Sequence, residues 1–228
     1  MQAEKKVTEG NSIEKVIHQR TEAILEHFRA DPIAPLISIS PTFSLSPLER
    51  MNDGRFHKHH DGSVLRFESN RSPDQSFTMV LPSFPNYRNE YVGFLNSTYK
   101  TNFLESDLPK GLDIDHLLAA SNSPSLTWVR LEALPIRINR SHGGGAEKKN
   151  ARSRITDARK RAEHRPGTMN WLVAAKLASL MSPLSPKSKN SQSRLEAIVE
   201  YFVELGFVRA QVEGGLKSCQ HQLAELGI

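Results

Sequence analysis

Residues 126–134, LTWVRLEAL, alternate apolar and polar positions and run into Pro135. A period of two belongs to a β-strand and cannot be laid on a 3.6-residue helical repeat. Thr127, Val129, Leu131 and Ala133 fall on one side, Trp128, Arg130, Glu132 and Leu134 on the other. The expectation is a strand packed on its Val/Leu side. Upstream, Leu112, Ile114 and Leu117 mark a shorter strand and its exit in GLDIDHLL, and from about Ile138 a helix follows. Two strands and a helix in this order organise the middle of the chain, and the remainder is read around them.

The N-terminal region, 1–30, holds a helix. Ser12 is placed to cap it, Ile13, Val16, Ile17, Ile24, Leu25 and Phe28 recur at helical spacing, and Asp31-Pro32 disfavours its continuation past Ala30. Region 31–110 is mixed. Four prolines at 32, 35, 41 and 47 predict an extended connection with one short edge strand at 36–39. Residues 51–63 predict a polar turn in which His57, His59 and His60 are solvated rather than metal-bound. A hairpin is expected from Val64, Leu65 and Phe67 to Phe77–Leu81, then over 86–99 either a helix, which the spacing of Tyr87, Tyr91, Phe94, Leu95 and Tyr99 suits and Gly93 weakens, or an irregular segment. Region 166–228 predicts helices over 168–181, 194–205 and about 208–226, with a Ser/Pro linker at 182–193 between the first two.

Composition narrows the class. Of the 228 residues 38% are hydrophobic, enough for one core with some solvated chain. The single cysteine, Cys219, rules out an internal disulfide and a Cys-built zinc site, and a buried place on the last helix is expected for it. No secretory signal and no membrane-length apolar run are visible, so a soluble, cytoplasmic protein is expected. The net charge is +5 and is unevenly spread. Residues 136–165 carry ten Lys or Arg against three acids, a local +7, while the rest of the chain is net −2. A basic segment of this density is either a solvated helix face or a contact for a phosphate backbone. Arg137, Arg140, Lys148, Lys149 and Arg152 are the nearest candidates for nucleic-acid binding.

Chemistry converges on the same place. Asp113-Ile-Asp115-His116 ends the first strand, and Asn139-Arg140-Ser141-His142 opens the helix. Phosphodiester hydrolysis needs a nucleophile, charge neutralisation on the phosphate and help for the leaving oxygen. Magnesium accepts hard oxygen ligands and keeps several waters, so one carboxylate and one amide oxygen suffice from the protein. Asp115 and Asn139 are the expected ligands and His116 the expected general base. The bland alternative makes Asp115 and His116 surface polar residues and Asn139 a helix cap.

The pattern Asp113-x-Asp115-His116-Leu117, an intervening two-stranded segment, then Asn139-Arg140-x-His142-Gly143 resembles the HNH (ββα-metal) endonuclease family in its Asp-His and single-Asn form, over residues 111–150. The resemblance implies an α+β protein with a ββα-metal nuclease core at 111–165, added N-terminal strands and helix, and C-terminal helices. It implies Asp115 and Asn139 as ligands of Mg2+ or another divalent ion such as Mn2+, His116 activating water, and DNA rather than RNA as substrate. The chain departs from the family in lacking paired CxxC knuckles, in carrying His142, a possible third ligand, and in the triple glycine at 143–145. The competing expectation is a non-catalytic nucleic-acid-binding protein using a basic helix at 146–165. An interaction protein built on the C-terminal helices is the third.

Overall fold

The structure is a computed structural model that describes residues 12–32, 34–118, 127–142, 166–183 and 190–225. The mixed α+β class is realised as an antiparallel sheet with helices around it. Helix α1 (Ile13–Ala30) begins where expected, with the Ser12 hydroxyl accepting from the Lys15 N–H at 3.2 Å. Strand β1 (Leu36–Ile39) is buried at all four residues. It is not an edge, contrary to expectation, because both its sides are paired.

Helix α2 (Leu45–Asn52) occupies a stretch expected to be extended. Its Pro47 stands in the first turn, where a missing N–H removes no intrahelical bond, so the proline is tolerated. Strand β2 (Gly54–His59) replaces the expected polar turn. It is the terminal strand of the sheet, registered residue by residue on β3 (Val64–Ser69), from Gly54 opposite Ser69 to His59 opposite Val64. Its apolar signal is weak because an edge strand needs no second buried face, and Arg55 and Lys58 give it the charge that discourages edge-to-edge pairing. Strand β4 (Phe77–Val80) completes the expected hairpin with β3, and helix α3 (Tyr87–Tyr99) follows.

Strand β5 (Leu112–His116) and strand β6 (Trp128–Pro135) pair antiparallel, from Leu112 opposite Pro135 to His116 opposite Leu131. The start of β6 pairs with β1 on one side and β4 on the other. The order across the sheet is β2-β3-β4-β6-β1-β7, with β5 on the remaining length of β6. Being central, β6 is buried on both sides, so Arg130 and Glu132 lie in the interior with Val129 and Leu131. The expectation of a single packed face is corrected accordingly.

Helix α4 (Ile136–His142) starts immediately after β6. Strand β7 (Gly167–Thr168) and helix α5 (Trp171–Leu177) stand where one helix was expected over 168–181. Gly167 and Thr168 pair with β1, and the Asn170 side chain then caps α5 by accepting from the N–H groups of Leu172 and Val173, each at 3.0 Å. Helix α6 (Ser191–Glu204) begins at Ser191 rather than Arg194, and Gly206, at φ +90°, ends it. Helix α7 (Arg209–Glu225) is the last described element, with Cys219 buried on it. Among the described residues no helix is long and apolar enough to cross a membrane.

The C-terminal helices pack on α1 around Trp171, whose ring meets Phe28, Phe202 and Phe207 edge-on at centroid distances of 5.0, 5.4 and 5.2 Å. Gly215 of α7 lies against this indole, and a Cβ there would come within 1.9 Å of it. A Cβ on Gly214, one residue earlier, would meet nothing within 4 Å. Gly215→Ala is therefore expected to cost about 1–3 kcal/mol through overpacking. Gly214→Ala is expected to be neutral or to stabilise by up to about 1 kcal/mol through helix propensity. Urea denaturation midpoints of the two variants test this, and equal midpoints would remove the close packing of α7 on Trp171.

Candidate functional site

The site residues are carried by the β5–β6 hairpin and the helix after it. Gly111 C=O accepts from the Ile136 N–H at 2.9 Å, tying the first turn of α4 to the entry of β5. Helix α4 rests against both strands. Its Ile138 and His142, four residues apart, form the buried side, Asn139 is half-buried, and Arg137 and Arg140 are exposed three apart on the outer side. Residues 143–165 lie outside the description, and with them Lys148, Lys149, Arg152 and the expected basic helix at 146–165.

Asp115 and His116 are the last residues of β5, and as strand neighbours they point to opposite faces. Their neighbours differ accordingly. The Lys176 ammonium of α5 donates to Asp115 Oδ2 at 2.7 Å, with 2% of the lysine side chain and 18% of the aspartate side chain exposed. His116 meets the Tyr87 ring of α3 at 4.9 Å between centroids. Its Nε2 is buried and finds no hydrogen-bond partner among the described residues. Burial lowers its pKa below the ordinary value, Asp115 opposes the shift and Lys176 adds to it, so the ring is neutral at pH 7.

His142 is buried, and its Nε2–H donates to the Leu180 carbonyl at 3.0 Å. A carbonyl only accepts, so the proton sits on Nε2 and the lone pair on Nδ1. Burial pushes His142 down to about 4, the Leu180 bond opposing and Lys176 contributing. Metal ligation by His142 therefore requires Nδ1 or loss of the Leu180 bond. Among the described residues no hydrogen bond joins Asn139 to Asp115 or His116, and no three His, Cys, Asp or Glu groups are arranged to hold an ion. The oxygen donors of Asp115 and Asn139 remain the type a hard, hydrated divalent ion takes, and the chain has no thiol set for a softer one.

The hairpin register creates an electrostatic problem. Asp115 stands directly opposite Glu132, and like charges across a strand pair repel. Each acid has its own cation. Glu132 Oε1 accepts from Arg20 Nη2 and Arg130 Nε, both at 2.9 Å, and its Oε2 accepts from the Tyr91 hydroxyl at 3.2 Å. Asp115 has Lys176. Asp113, on the same strand, pairs with Arg88, which also holds Glu105 at 2.9 Å. The histidines at 57–60 are apart from this centre, His57 at 3.6 Å from Glu68 and His60 at 3.3 Å from Glu90.

Lys176 and Tyr87 are the neighbours that sequence reasoning missed. The signal for Lys176 is present, a lone charge within the apolar run WLVAAKL. No family model, curated protein or solved structure matches the chain.

Proposed function

We propose that this chain is a divalent-metal-dependent endonuclease of the ββα-metal type, acting on DNA. The observation that carries the reading is the local order strand, antiparallel strand, helix. Asp115 and His116 lie at the exit of the first strand, and Asn139 stands in a helix that rests against both. In this reading Asp115 and Asn139 hold a hydrated Mg2+ or Mn2+, which when bound neutralises charge on the scissile phosphate and on the leaving oxygen. His116, which the pleat aims at the face opposite Asp115, accepts the proton of the attacking water once the strand end twists to bring both side chains onto one cleft. Its pKa suits that role, since an imidazole held below its ordinary value by burial keeps a lone pair at neutral pH. Tyr87 covers the ring and limits its rotation. Arg137 and Arg140 on the outer side of α4 grip the backbone of the substrate.

Supercoiled plasmid and RNA, each incubated with Mg2+ or with EDTA, test the reading. Plasmid nicking that requires metal and is lost in Asp115→Asn is expected. Binding without cleavage under Mg2+ and Mn2+ would leave the alternative, a nucleic-acid-binding protein without catalysis, which gains some support from the occupied Asp115 carboxylate. For binding, Arg137→Ala and Arg140→Ala are each expected to lower the slope of log K against log salt by about one. Slopes equal to wild type in both variants would take α4 out of the contact surface.

A further inference from the structure

A lysine with 2% of its side chain exposed needs a reason to be where it is. Lys176 is the penultimate residue of a short apolar helix whose Ala174, Ala175 and Leu177 are all buried in the core. Burying an ammonium costs several kcal/mol unless a counter-charge meets it, and replacing a buried ion pair as a whole by hydrophobic residues of similar volume is often neutral or stabilising, whereas removing one partner alone destabilises. Structure alone therefore does not explain a lysine here. Its counter-charge is Asp115, the carboxylate that the proposed function assigns to the metal. Asp115 needs a cation whether or not metal is present, because Glu132 faces it across the hairpin and is already matched to Arg20 and Arg130.

Resting on the metal-dependent reading above, we propose that Lys176 is the resident cation of the Asp115 carboxylate, and that a divalent ion loads by displacing its ammonium. Two cations cannot share one carboxylate in a partly buried site without strong mutual repulsion. The ammonium, on its flexible four-carbon stem, is the one that moves. Lys176 thus holds Asp115 oriented in the metal-free protein and weakens metal binding. It also couples loading to the C-terminal helices, since α5 packs on α1, α4 and α7.

The test compares wild type, Lys176→Met, Lys176→Arg and Asp115→Asn by Mn2+ binding, read from the free-ion paramagnetic resonance signal, and by thermal midpoint with and without Mn2+. Lys176→Met is expected to have a lower metal-free midpoint, a larger rise on adding Mn2+, and a half-saturating Mn2+ concentration at least about tenfold lower than wild type. Lys176→Arg keeps the cation and is expected to stay within about threefold of wild type. Should Lys176→Met fail to fold, acetylation of Lys176 in the wild-type protein, measured by mass spectrometry, is expected to rise several-fold on adding Mn2+. If Mn2+ binds through Asp115 but Lys176→Met does not tighten it, or if acetylation is unchanged by bound Mn2+, the displacement is wrong while the metal site stands. If no protein binds Mn2+ at all, the metal site and the displacement fall together.

Discussion

Replacing His116 by alanine is expected to lower metal-dependent nicking by about 10²–10⁴-fold, the usual contribution of a positioned general base. The expectation rests on a ring whose pKa burial holds below its ordinary value and on its place next to Asp115 at the strand exit. The loss should fall in kcat, because His116 in this role assists the water in the transition state rather than holding the substrate. Added imidazole should restore part of the rate. His116→Gln, which preserves bulk next to Tyr87, should be as impaired as the alanine variant. If His116→Ala nicks within about threefold of wild type, His116 is a core histidine and the base lies elsewhere.

Glu132→Gln should give the largest loss of stability, about 3–5 kcal/mol, because it leaves Arg20 and Arg130 without their shared counter-charge in the interior. Arg20 is 0% exposed, Glu132 3% and Arg130 4%, so water cannot compensate. The Tyr91 hydroxyl also loses an ionised acceptor. The pH dependence follows from the direction of the Glu132 shift. Burial raises its pKa, but the Arg20 and Arg130 charges and their hydrogen bonds outweigh burial and hold it below its ordinary value of 4.5. A carboxyl with a depressed folded pKa stabilises fully above its unfolded value and loses that contribution as pH falls through the folded one. The gap between wild type and Glu132→Gln in urea midpoint should therefore be widest near neutrality and shrink between about pH 4 and lower values. A gap that stays constant on acidification would show that the network is not held by the Glu132 charge.

These two residues also show what could be read from the chain. Asp115, His116 and Asn139 are legible because their residue types and spacing are local features, and the hairpin and helix that carry them rest on local patterns too. Glu132 was placed on a strand but not in the interior. Whether a strand has one buried face or two depends on what the rest of the chain lays over it. Arg20 left a visible trace, a gap in the apolar stripe of α1 between Ile17 and Ile24, filled by the guanidinium that reaches Glu132. Strand β2 was missed because its pairing signal lies in β3, and α2 because Pro47 marks a break only when it stands inside a helix rather than in the first turn.

The sequence by itself determined the elements with a strong internal period: α1 with its Ser12 cap, the β3–β4 hairpin, β5, β6 and α7. It also determined where the acid, the imidazole and the amide sit along the chain. Tertiary structure alone decided that β6 is the shared central strand, that β1 is inside the sheet, and that Lys176 closes on Asp115 from sixty-one residues away. The physical reason is range. Caps, periods and turns are set by contacts within a few residues. The partner of a buried charge is chosen by which distant helix the core brings against it, and nothing in the local pattern of either residue encodes that meeting.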